Sequence, residues 1–197
     1  TMTNEPIRKQ LEDVTLEAMI SETTKYGNKE LLFVCPIVSQ TVAASRTIDK
    51  LIGENEPACL GLICRQIFEL LITLEYVFSI KSEAFNDFCK FFVNNQRVGR
   101  YDKKEKKWKN ACYEYLCDKY IKTSKNDKIK EVYDALCRMS HFSLNHATET
   151  LRLDRNTLEV TLSGHREDSE KICKAANVVQ AELVRLMTEA VKREYLR

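Results

Sequence analysis

Residues 55–80 read NEPACLGLICRQIFELLITLEYVFSI, and their pattern decides what kind of fold the chain can adopt. Leu60, Ile63, Ile67, Leu70, Leu74 and Val77 fall on one helical stripe, and Leu62, Phe68, Ile72 and Phe78 fall on others. A helix that is apolar on nearly every side is one surrounded by other helices. The stretch therefore predicts a central helix in an all-α bundle. Arg65 and Glu69 interrupt it one turn apart, on a shared face. Charges at the centre of a bundle are costly unless they are paired or put to use. This pair reads either as a buried ion pair fixing helix register or as an oriented cation with its carboxylate.

Composition agrees with a helical fold. The 197 residues are 44% hydrophobic and 30% charged, with only 5 Gly and 3 Pro, too few for the turns of an all-β protein. A formal charge of +2 neither requires nor excludes a nucleic-acid partner, because local clusters matter more than the sum. The eight cysteines lie singly in apolar patterns with no Cys-x-x-Cys, so no metal site is expected and they read as reduced, buried thiols of a cytoplasmic protein. The longest uncharged run, 31–45, is shorter than the ~18–20 residues a membrane span needs.

Outward from the central stretch, residues 7–24 predict an amphipathic helix through Ile7, Leu11, Val14, Leu16, Ala18 and Ile20. A second helix runs over 29–52, with a kink or break expected at Pro36 and Gly53 as its C-terminal cap. Asn55 reads as the cap of the central helix, with Pro57 in its first turn. After Ile80, Phe85, Phe88, Phe91 or Phe92 and Val93 form an aromatic helix face that ends near Gly99. A helix over 110–122 follows, then a helical pattern in 128–150 with Ile129, Val132, Tyr133, Leu136 and Cys137 on one face and Ser124 or Asn126 as its cap. The alternation in LRLDRNTLEVTLSG from Leu151 predicts a short β-hairpin turning at Arg155-Asn156, and Ser169 to Leu196 a long final helix. The expected architecture is six to seven helices in one domain: an N-terminal helix over 1–26, core helices over 27–150, a hairpin over 151–166 and a last helix over 167–197.

Two segments carry candidate chemistry beyond the central pair. Between Arg97 and Lys109 the chain places Arg97, Arg100, Lys103, Lys104, Lys106 and Lys107 around Tyr101 and Trp108, opposed only by Asp102 and Glu105. Such a mixture suits phosphate-backbone contact with stacking aromatics. It equally suits a solvated helix junction whose aromatics fold back on the core. In Cys137-Arg138-Met139-Ser140-His141, followed by Asn145 and His146, a guanidinium and imidazoles come close in sequence. Arginine can hold a phosphate and offset charge in the transition state. Histidine can move a proton near neutral pH. Histidines at a helix end also serve as carbonyl partners, and that alternative stands beside the first. No Gly-rich phosphate loop, Gly-x-Ser-x-Gly elbow or His-Glu-x-x-His occurs.

Arg65-Gln-Ile-Phe-Glu69 on an apolar helix, then Tyr133-Asp-Ala-Leu-Cys-Arg-Met-Ser-His141, resembles a bacterial domain family related to the HEPN superfamily, over residues 30–195. That resemblance implies a helical bundle dimerising around a shared site. In active members, often toxins or phage-defence effectors, the site cleaves RNA without metal or other cofactor. It implies His141 as proton shuttle, Arg138 on the phosphate, Arg65 as a second cation and Glu69 orienting it, with His146 and Asn145 as secondary candidates. Active members separate their arginine and histidine by four to six residues. Here Arg138 and His141 enclose two, and Arg138 and His146 enclose seven. The expected partners are RNA, a second copy of the chain, and a cognate antitoxin or defence-system protein. The alternative is a non-catalytic helical module that binds a nucleotide, a nucleic acid, a protein or itself.

Overall fold

The computed structural model describes residues 4–23, 31–57, 59–123, 127–140, 151–153, 160–162 and 166–196, with 22, 23, 31, 82, 123, 127, 128, 130, 138–140, 151–153, 160–162 and 166–169 described by backbone alone. These residues form α1 (Glu5–Thr23), α2 (Leu31–Gly53), α3 (Leu60–Phe78), α4 (Ser82–Asn95), β1 (Gly99–Asp102), β2 (Lys107–Asn110), α5 (Tyr113–Thr123), α6 (Asp127–Ser140), β3 (Leu151–Leu153), β4 (Val160–Leu162) and α7 (Arg166–Tyr195). The fold is an all-α bundle with two small antiparallel hairpins.

The central stretch becomes α3, and α2, α5, α6 and α7 pack around it. Ile67, Phe68, Leu71 and Leu74 are fully buried. Each such side chain contributes about 1.5–3 kcal/mol through the water it no longer meets. The helix is not sealed on every side, however: Leu62 is 60% exposed, and Arg65 and Glu69 lie on that open flank. The expectation of charges buried at the bundle centre is corrected accordingly. α1 lies against α7 and α2 through Leu11, Val14 and Ala18. Leu16 and Ile20, expected on the same buried face, are exposed.

The junction between α2 and α3 differs from its expected form. Glu56 N–H donates to Leu51 C=O at 2.9 Å and Asn55 N–H to Ile52 C=O at 3.1 Å, with Asn55 left-handed at φ 57°. That is a Schellman termination of α2 with Asn55, not Gly53, in the left-handed position. α3 then starts from Cys59 without a side-chain cap. Pro36 lies inside α2, which continues past it for four turns.

Phe33 of α2 meets Phe85, Phe88 and Phe92 of α4 at ring-centroid distances of 6.2, 5.4 and 4.8 Å. Val93, expected on this aromatic face, is exposed. The expected hairpin after Leu151 is present as β3–β4, with Leu151 opposite Leu162 and Leu153 opposite Val160. Its turn at Arg155-Asn156 lies outside the described residues. The other hairpin, β1–β2, replaces what the sequence predicts as a helix junction running into a helix from residue 110. It pairs Gly99 with Asn110 and Tyr101 with Trp108. The cysteines are all free thiols, but Cys59 and Cys112 are exposed, contrary to the buried setting expected of them.

Candidate functional site

The open flank of α3 carries the first site. Arg65 Nε donates to Glu69 Oε1 at 3.3 Å, and the Arg65 guanidinium lies 4.7 Å above the ring of Tyr113 from α5. The side chains remain 38% and 45% exposed, so water reaches both. Nη1 and Nη2 of Arg65 donate to no group among the described residues. Partial burial pulls the Arg65 pKa down, but Tyr113, Glu69 and Cys137 more than reverse this, and the group is held charged. The result is a guanidinium fixed at its base whose outer fork is unbonded among the described residues, a shape that matches two oxygens of a phosphate.

Behind this cation, α5 and α6 contribute a tyrosine–cysteine cluster. Burial pushes the Tyr113 phenol well above its ordinary pKa, with Cys117 adding to the effect. The Tyr133 phenol is pushed up to about 12 by hydrogen bonding to Cys137 and by the neighbouring Cys117. Burial raises Cys117 despite bonds from Tyr133 and Tyr113. These groups stay neutral near pH 7 and are unsuited to act as nucleophiles there. Their value is positional: Tyr133 of α6 lies 5.8 Å from Phe68 of α3, and Cys137, one turn on, is near enough to act electrostatically on Arg65. The structure thus brings together Arg65, Glu69 and Tyr113, with α6 also packed against α3. The Arg138 side chain, His141, Asn145 and His146 lie outside what is described.

The basic segment forms the second site. Tyr76 Oη donates to Gly99 C=O at 3.0 Å, tying the β1–β2 hairpin to α3, and Ala111 N–H donates to Val98 C=O at 2.8 Å, closing the base of the hairpin. A Cβ on Gly99 would lie 2.4 Å from Phe91 Cδ1, so glycine is required for this approach. Trp108 packs against Phe88 and Phe91 at 5.8 and 6.4 Å. Tyr101 stands edge-on to Trp108 at 5.8 Å and is 49% exposed. Of the two aromatics the sequence offered for stacking, Trp108 anchors the hairpin and Tyr101 faces solvent.

The six basic candidates also separate. Arg100 lies 5.0 Å from the ring of Tyr115, and Lys107 pairs with Glu105 at 2.7 Å. Lys109 pairs with Asp102 at 2.9 Å and with Glu105. The bond from Lys109, with further bonds from the backbone N–H groups of Glu105 and Lys104, holds Asp102 down at about 2. Arg97, Lys103, Lys104 and Lys106 are exposed and form no ion pair among the described residues.

A third polar constellation went unseen in the sequence. Arg8 of α1 is 3% exposed and bonds Glu5 through Nε at 3.1 Å and Nη2 at 2.7 Å, and Ser45 and Asp49 of α2 through Nη1 at 3.0 and 2.6 Å. Gln180 of α7 donates to Asp49 at 2.7 Å and accepts from Ser45 at 2.9 Å. Every nitrogen of this guanidinium is occupied, which suits a clamp between three helices and leaves nothing for a ligand. Among the described residues no group of three or more His, Cys, Asp or Glu side chains could hold a metal ion, and no helix is long and apolar enough to cross a membrane. No family model, curated protein or solved structure matches the chain.

Proposed function

We propose that the protein is a HEPN-like, metal-independent RNA endonuclease of bacterial toxin or phage-defence type, acting in the cytoplasm as a homodimer. The observation that carries this reading is the Arg65 guanidinium, oriented by Glu69 and Tyr113, with Nη1 and Nη2 unbonded among the described residues, on a helix against which α6 packs. In this scheme Arg65 and Arg138 hold the scissile phosphate and offset the charge that builds on its oxygens. His141 takes the proton from the RNA 2′-hydroxyl, whose oxygen then attacks phosphorus. The leaving 5′-oxygen receives a proton from the second copy's imidazole, so one acid and one base serve each cleavage. Glu69 is a positioning residue that keeps Arg65 extended toward solvent. His146 and Asn145 are secondary candidates for contact with the substrate.

A second reading is a non-catalytic binding or dimerisation module. It is favoured by the partners Arg65 already has, since Glu69 and Tyr113 would serve a purely architectural arginine equally well. Incubation with total RNA in EDTA separates the two. Cleavage by the unmodified protein that falls about 10²–10⁴-fold in both Arg138→Ala and His141→Ala supports the nuclease. RNA left intact by the unmodified protein supports the module.

A further inference from the structure

We propose that the tip of the β1–β2 hairpin is a docking surface for single-stranded nucleic acid, with Tyr101 as a stacking platform and Arg97, Lys103, Lys104 and Lys106 as phosphate contacts. The hairpin sorts its own charges. Its two acids are used internally, Asp102 on Lys109 and Glu105 on Lys107 and Lys109. Arg100 is held against Tyr115. The cations left over cluster at the loop and at the approach to β1, where nothing described neutralises them.

The loop that presents them is fixed rather than loose. Asp102 Oδ1 accepts from the backbone N–H groups of Lys104 and Glu105 at 2.9 and 3.2 Å, and Lys106 closes the loop in a left-handed conformation at φ 52°. The strands below are tied to α3 and α4 through Gly99 and Trp108. A polyanion therefore meets cations whose backbone order precedes binding, which lowers the entropic cost of association. The half-exposed ring of Tyr101 is backed edge-on by the anchored Trp108. An unpaired base can stack on such a ring, whereas a duplex keeps its base faces covered. The loop, 103–106, carries only Lys and Glu and has no apolar side chain to enter a lipid surface. Of the polyanions, a single strand fits this combination best.

The choice of RNA as probe rests on the ribonuclease reading, and the test is arranged so that binding and cleavage fail separately. Anisotropy of a labelled oligouridylate is measured across a salt series on full-length His141→Ala protein, which removes the proposed proton shuttle. Binding is expected to weaken linearly in log–log form with salt. Lys103→Ala/Lys104→Ala/Lys106→Ala lowers the slope by about 2, because each phosphate contact on a single strand contributes roughly 0.7. Tyr101→Leu weakens binding about 5–150-fold, the range for loss of one stacked base. Lys107→Ala, which removes an internally paired lysine, changes the slope least. Absence of binding at low salt, a slope unmoved by the triple variant, equal affinity for a duplex, or capture of anionic vesicles in preference to RNA would each overturn the proposal. Single-strand binding without RNA cleavage by the unmodified chain leaves this surface standing and removes the nuclease.

Discussion

Two arginines, Arg8 and Arg65, show how the same side chain serves opposite purposes in one bundle. Arg8 is sealed between α1 and α2, and each of its nitrogens has an acceptor. Arg65 stands on the open side of α3 with one 3.3 Å bond and one aromatic face, and its outer nitrogens bond nothing among the described residues. The sequence draws attention to the wrong member of this pair as the buried one. An arginine inside an apolar helix looks sealed, while an arginine in a charged N-terminal helix looks solvated. What decides is the set of partners that the tertiary fold delivers: for Arg8 these are Glu5 of α1 and Ser45 and Asp49 of α2, the last two held in turn by Gln180 of α7.

The comparison breaks most sharply at Arg8. Arg8→Ala leaves the Asp49 carboxylate without its cation inside the bundle, with neutral donors alone remaining to it, and is expected to cost about 3–5 kcal/mol. Urea unfolding checks this, and the melting temperature should fall by roughly 6–20 °C for a chain of this size. A stability close to that of the unmodified protein would mean that the clamp is dispensable. Gly99→Ala is next, expected to cost about 1–3 kcal/mol because the new methyl must displace Phe91. Tyr76→Phe should cost about 1 kcal/mol by removing the bond to Gly99 C=O. Arg65→Ala should cost least, about 0.3–0.5 kcal/mol, the ordinary worth of an i,i+4 pair on a helix surface.

Acid sharpens the same contrast. The hydrogen bond from Arg8 holds Glu5 below the ordinary glutamate pKa. A carboxylate with a depressed folded pKa stabilises the protein above its unfolded pKa, and this contribution disappears as pH falls through the folded value. Carboxyl NMR titration should therefore find Glu5 titrating below the usual value of about 4.3 in the unmodified chain and moving back up in Arg8→Ala. An unchanged Glu5 midpoint would show that the pair does not persist in solution.

Much of the architecture was legible because it is written in local period. The apolar density of 60–78 marks the central helix, and the alternation after Leu151 marks β3–β4. The β1–β2 hairpin was not legible. Its strands are four residues long, its loop of Lys103, Lys104, Glu105 and Lys106 has neither Gly nor Asn, and a lysine takes the left-handed position. The Arg8 clamp was hidden for another reason: its partners Ser45 and Asp49 lie 37 and 41 positions away, and Gln180 lies more than a hundred further on. The candidate site was legible in part. Arg65 and Glu69 stand out as charges in an apolar helix, but their exposure depends on how the neighbouring helices pack against α3, which the local pattern does not carry.

The proposed nuclease requires Arg65 to be an available cation and not an architectural one. Its most direct test is to measure Arg65→Ala for both melting temperature and RNA cleavage in EDTA, beside the unmodified protein. The account predicts a melting temperature within about 2 °C, since so little stability rests on the pair, together with cleavage reduced about 10²–10³-fold by loss of a charge-stabilising group. Cleavage retained at full rate, or a collapse in stability like that expected for Arg8→Ala, would contradict it.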